Sequence, residues 1–118
     1  MKKLLGVALL CFSFQANATD RWTKSDIARE AVYLTLHVVD WGQTRDSVDK
    51  GYIEKNAILG EYPSKEEVNR YFLITGLLHV AAAHLLPSDW RGRFQYSTIA
   101  VQVYCVHNNY NLGLKIQF

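Results

Sequence analysis

Residues 26–44 read DIAREAVYLTLHVVDWGQT. An α-helix turns about 100° per residue, so side chains three and four positions apart share a face. At that spacing Asp26, Glu30, Tyr33, His37, Asp40 and Thr44 fall on one line. Ile27, Leu34, Val38 and Trp41 flank this polar stripe on one side, and Val32, Leu36 and Val39 on the other; Gln43 lies off it. The stretch is therefore read as a helix with a narrow polar seam. Its start is marked by Thr23 and Asp26, the hydroxyl and carboxylate of a capping box. Its expected end is near Ser47, before Lys50-Gly51.

Two further helices follow from the same reading. In YPSKEEVNRYF, residues 62–72, Ser64 is the expected N-cap and Glu67 the reciprocal acid, with Glu66 and Glu67 suited to the positive end of the helix dipole. This helix is expected to continue through LITGLLHVAAAHLL and stop before Pro87. Beyond Arg70 it is apolar all round apart from Thr75, His79 and His84, as in a helix buried in a core or set in a membrane. Gly76, Ala81, Ala82 and Ala83 leave room for a close neighbour. The third helix is expected after Ser88-Asp89 and up to about Asn109. It carries a second stripe of Arg91, Gln95, Thr98, Gln102 and Asn109, with Cys105 in register.

Residues 49–63, DKGYIEKNAILGEYP, read as a structured loop, with Ile53, Ile58 and Leu59 available to pin it to the helices. The final NYNLGLKIQF alternates, placing Tyr110, Leu112, Leu114, Ile116 and Phe118 on one face of an extended segment. An outer-membrane barrel would need at least about eight strands with regular turns, which this chain does not offer. The expected fold is thus all-α: a small three-helix bundle with a short extended C-terminal tail.

The N-terminus carries an export pattern. Met1-Lys2-Lys3 is basic, Leu4 to Phe14 is a short apolar run, and Ala16-Asn17-Ala18 fits a cleavage site. Residues 1–18 are read as a signal peptide and residues 19–118 as one helical, membrane-associated domain. Cleavage removes Cys11 and leaves Cys105 as the single cysteine, so no intramolecular disulfide is expected. The 118 residues carry a formal net charge of +2 with no basic run, which excludes a nucleic-acid footprint.

The two stripes admit two accounts. They can face water on amphipathic helices packed around the second helix. Alternatively they face each other, with the apolar flanks covered by lipid and the polar groups satisfying one another. The second account is preferred here, because the stripes are narrow and apolar on both sides. The candidate ligand-binding or polar-core residues are His37, Asp40, Thr44, Gln102 and Asn109. His37 and Asp40 are spaced to hydrogen-bond, yet no nucleophile stands beside them in sequence. His79 and His84, five apart, make a poor metal pair, and Asn108 and Asn109 suit a helix end. There is no Walker loop, GxSxG, CxxC pair or dinucleotide fingerprint, and no enzyme, cofactor or metal is expected.

The segments DWGQT, NAILGEYPS and VNRYF, with the final Asn-containing segment, together resemble a group of short bacterial and phage-borne envelope proteins. Their pattern runs D-W-x-Q-T, N-P-x-L-G-x-x-P-S and V-N-x-Y-F. Asp40, Trp41, Gln43, Thr44, Asn56, Leu59, Gly60, Pro63, Ser64, Val68, Asn69, Tyr71 and Phe72 match; Ala57 stands where the pattern has Pro. The resemblance spans most of residues 19–118. It implies a small helical membrane or envelope protein and brings no established activity. The resulting expectation is a non-enzymatic exported envelope protein, at the inner membrane or the periplasmic face, whose partners are the membrane, an envelope protein or a second copy. The competing expectation is a small periplasmic ligand-binding module built on the His/Asp/Asn stripe.

Overall fold

Thr23 caps the first helix by accepting from the Asp26 N–H, and the Asp26 carboxylate in turn accepts from the Thr23 N–H at 2.9 Å. Ser64 and Glu67 repeat this reciprocal arrangement at the second. In the computed structural model, which describes residues 20–118, these boxes open α1 (Lys24–Asp49) and α2 (Lys65–Leu85); α3 (Ser88–Asn111) follows. The signal segment expected over residues 1–18 lies outside the described residues, as does Cys11.

Helix α1 is the axis of the bundle. α3 packs along it most extensively and α2 less so, while α2 and α3 touch at only a few places. The angle between α2 and α3 therefore opens into a cleft floored by α1. Gly76 faces that floor, where an added Cβ would meet the His37 ring at an ordinary contact distance of 3.4 Å. Seven residues on, Ala83 is fully buried on the same face, whereas Ala81 is exposed.

α3 has no side-chain cap of its own and begins at Ser88 rather than after Ser88-Asp89. Its first turn is held from outside: Asp20 accepts from the Ser88 N–H at 2.7 Å. Beside this contact Arg91, 0 % exposed, spreads its guanidinium across all three helices. It donates to the carbonyls of Ala83 and Leu86 at the end of α2, at 2.6 and 3.1 Å. It also donates to the Asp20 carbonyl at 2.9 Å and to the Asp26 carboxylate at 3.1 Å. The last carbonyls of a helix have no partner within it, and here one buried cation supplies them.

Elsewhere the structure departs from expectation. α3 runs past Asn108 and Asn109 to Asn111, and Gly113, at φ +77°, ends it with its N–H on the Tyr110 carbonyl. Asn109 is thereby free to turn inward. The alternation of the final segment does not make one face, because Tyr110 and Leu112 belong to the helix and its cap. Only Leu114 of that set is buried. The tail is extended and returns over α1: the Gln117 N–H donates to the Gly42 carbonyl at 3.1 Å, and the Lys115 N–H to Asp46 at 2.8 Å. No strand occurs among the described residues. In the loop, Ile53 and Ile58 are exposed and only Leu59 turns towards the helices. The loop is held instead by polar contacts, with Asn56 accepting from the Ile58 N–H and a Glu54–Glu61 backbone bond.

Two expectations follow. Arg91→Ala should cost about 3–5 kcal/mol in urea unfolding, because it leaves Asp26 buried with less compensation and frees the α2 carbonyls. Arg91→Lys should recover less than half, since an ammonium cannot fan across three helices. Gly42→Ala would bring a Cβ to 2.6 Å from Ile116 and 3.2 Å from the Gln117 nitrogen. It should cost about 1–3 kcal/mol and speed exchange of the Gln117 amide.

Candidate functional site

The two stripes meet along the length of the bundle. At one end Asp26 lies between Arg91 and Arg29, and Arg29 donates to Gln95 at 2.9 Å. Burial raises the Asp26 pKa, but the Thr23 N–H and the Arg91 guanidinium outweigh it and hold the carboxyl below its ordinary value. One turn on, Gln95 donates to Glu30 at 3.0 Å, and Glu30 pairs with His79 of α2 at 2.7 Å. His79 contacts the Thr98 hydroxyl with its other nitrogen, also at 2.7 Å. Its ring stacks on Tyr33, with centroids 3.4 Å apart, and on Phe94 at 4.5 Å. Burial pushes the Tyr33 phenol up to about 12, so it remains protonated.

His37 forms the next layer. Its Nε2 lies 2.8 Å from the Phe72 carbonyl, an acceptor, so the proton is assigned to Nε2. Nδ1 then accepts from the Gln102 amide at 2.7 Å. Burial lowers the His37 pKa, which favours this neutral form. The expected His37–Asp40 bond is not made, because both ring nitrogens are committed across the bundle.

Asp40 is partnered by α3 instead. Asn109 donates to its Oδ1 at 2.8 Å and to Gln43 at 3.2 Å, while Gln43 donates to the Val106 carbonyl at 3.3 Å. The Thr44 hydroxyl donates to the Asp40 carbonyl at 2.8 Å and reaches Oδ1 at 3.4 Å. Of the five candidate residues, the structure thus joins His37 to Gln102 and Asp40 to Thr44 and Asn109.

His37, Asp40 and Thr44 floor the cleft between α2 and α3, which has a volume of about 550 Å³. Its walls include Tyr71 and Thr75 of α2 and Tyr104 and Cys105 of α3; Glu54, Lys55 and Asn56 close one end. Burial pushes the Asp40 carboxyl up to about 6, against the hydrogen bonds from Asn109 and Thr44; the Glu54 carboxylate adds to the rise. Burial also raises the Cys105 thiol, as do Asp40 and Glu54, which opposes thiolate formation. Among the described residues no cluster of three or more His, Cys, Asp or Glu side chains is placed to hold a metal. The arrangement is suited to hydrogen bonding and charge recognition.

Sequence reasoning placed Glu30 and His79 in the right segments without joining them, because their meeting depends on the rotation of α2. It also missed Asn69, which accepts from the Trp41 indole at 2.9 Å and from Arg45 at 2.7 Å. Trp41 lies parallel to Phe72, with centroids 6.2 Å apart. The signal was present: Trp41 belongs to DWGQT, and Asn69 and Phe72 to VNRYF, so these two segments of the resemblance are in contact.

The raised pKa of Asp40 has a defined sign. The folded chain holds this proton more tightly than the unfolded chain, so ionisation costs stability, fully above about pH 6 and not at all below about pH 4. Asp40→Asn removes that cost. Its melting temperature should exceed that of the parent by about 4 °C or more near pH 8, and the difference should shrink as pH falls from 6 to 4. A difference independent of pH in thermal melts followed by circular dichroism would contradict this. Comparison of the chain with family models, curated proteins and solved structures finds no match.

Proposed function

We propose that this chain is a non-enzymatic, exported cell-envelope protein that acts by contact, its apolar outer surface covered by membrane or by a partner protein. The observation that carries this reading is the inversion of the bundle. Asp26, Glu30, His37, His79, Arg91, Gln95 and Gln102 are buried and bonded to one another, whereas Leu73, Ile74, Leu77 and Leu78 of α2 point outward, with Leu77 64 % exposed. Ile27, Val32 and Val38 of α1 and Val101 and Val103 of α3 extend the apolar exterior. Polar groups satisfied inside and hydrocarbon outside is the arrangement that an apolar surrounding favours. Among the described residues no helix is long and apolar enough to cross a membrane, and the proposal is of faces covered rather than helices spanning. The resemblance to phage-borne envelope proteins supports the compartment and suggests a role in modifying a host envelope.

The cleft supports a second reading, a small ligand-binding module using His37, Asp40 and Asn109. Its volume of about 550 Å³ is in the range of small-molecule sites, and it combines apolar walls with a few convergent polar groups.

Cell fractionation separates the two. The chain expressed from its own start codon should stay with membranes after osmotic shock and be extracted by mild detergent. Release by osmotic shock as a detergent-free monomer overturns the covered-surface reading and leaves the binding module.

A further inference from the structure

The other buried carboxylates of the bundle each face a cation or a histidine. Asp26 has Arg91 and Arg29, Glu30 has His79, and Asp46 has Lys50 at 2.8 Å. Asp40 differs: among the described residues it joins no ion pair. Its Oδ1 is occupied by Asn109 and Thr44, while Oδ2 accepts no hydrogen bond among the described residues, and Asp40 lines the cleft. The charged groups lining the cleft are Asp40 of α1 and Glu54 and Lys55 of the loop. α2 and α3 bring none, and His37 on the floor is held towards its neutral form.

A half-buried carboxylate with one open oxygen and no counter-ion is complementary to a donor that carries positive charge. The walls add aromatic surface from Tyr71 and Tyr104, which suits a cation with an apolar body. An anion would meet two carboxylates against the single cation Lys55, and a neutral donor would leave the Asp40 charge uncompensated. We propose that the cleft between α2 and α3 binds a small organic cation, a primary amine on an apolar body, whose ammonium meets the open Asp40 oxygen and whose body lies against Tyr71 and Tyr104. This deepens the ligand-binding reading and rests on it. It is independent of what covers the outer surface, since the cleft floor belongs to the interior.

The test is isothermal titration calorimetry of the purified full chain with tyramine and with 4-ethylphenol, which lacks the amine, near pH 8. Tyramine should bind at least about tenfold more tightly than 4-ethylphenol, the difference expected for a hydrogen bond to a charged group. Asp40→Asn should weaken tyramine by a similar factor and leave 4-ethylphenol unchanged. Glu66→Gln, an exposed change in the first turn of α2, should alter neither. The amine–phenol comparison in the unmodified chain needs no variant to fold. Equal binding of the two probes, or tyramine binding indifferent to Asp40→Asn, overturns the cation and leaves the cleft as a ligand site. Binding of neither probe overturns both.

Discussion

A guanidinium buried where three helices converge is the constraint on which the bundle depends. Arg91 collects carbonyls from the end of α2, a carboxylate from the first turn of α1 and a carbonyl from the segment before it. It is itself in the first turn of α3. Burying such a charge is unfavourable unless its donors are filled. Filling them here requires all three helices to be in place, so the same group that is costly to bury also selects one assembly. The Arg91 guanidinium also lies over the Trp22 ring, with 5.1 Å from Cζ to the ring centroid.

From that point the interior continues as a polar seam, through Gln95, Glu30 and His79 to His37 and Gln102. A seam of this kind contributes little net stabilisation compared with apolar packing, because each bond replaces one made to water. It contributes register. A rotation of α2 by one residue would separate His79 from Glu30 and His37 from the Phe72 carbonyl, leaving desolvated groups without partners. The apolar side chains are correspondingly released to the exterior. Asp40 is where the seam stays open, since its carboxylate is half-buried and has no cation among the described residues. Such a group lowers the stability of the fold, and it is the one on which the proposed cation site rests.

Much of the architecture was legible in short patterns. Thr23 with Asp26 and Ser64 with Glu67 marked two helix starts, because a capping box is satisfied within one turn. Gly51 and Gly113, both at positive φ, fall where the first and third helices stop. The stripes were legible because helical periodicity is a property of a single segment. The group that holds the first turn of α3 was not, because it is Asp20, far away in sequence. Asn109 was legible as part of the inward stripe, where it meets Asp40, but not as an interior helix residue, because the turn came only at Gly113. Ile53 and Ile58 looked like anchors, but the loop closes on its own hydrogen bonds and leaves them outside.

The sequence by itself determined three helices, their boundaries to within a few residues, and one polar line on each of α1 and α3. Those follow from interactions between residues at most a turn apart. Only the tertiary structure decided that the lines face each other, that His79 joins Glu30, that Asn69 joins Trp41 to Arg45, and that Asp40 is left with an open oxygen in a cleft. Each of these depends on the rotation and separation of whole helices. That geometry is set by where Arg91 finds its acceptors and by how closely Gly42 allows the C-terminal segment to approach α1.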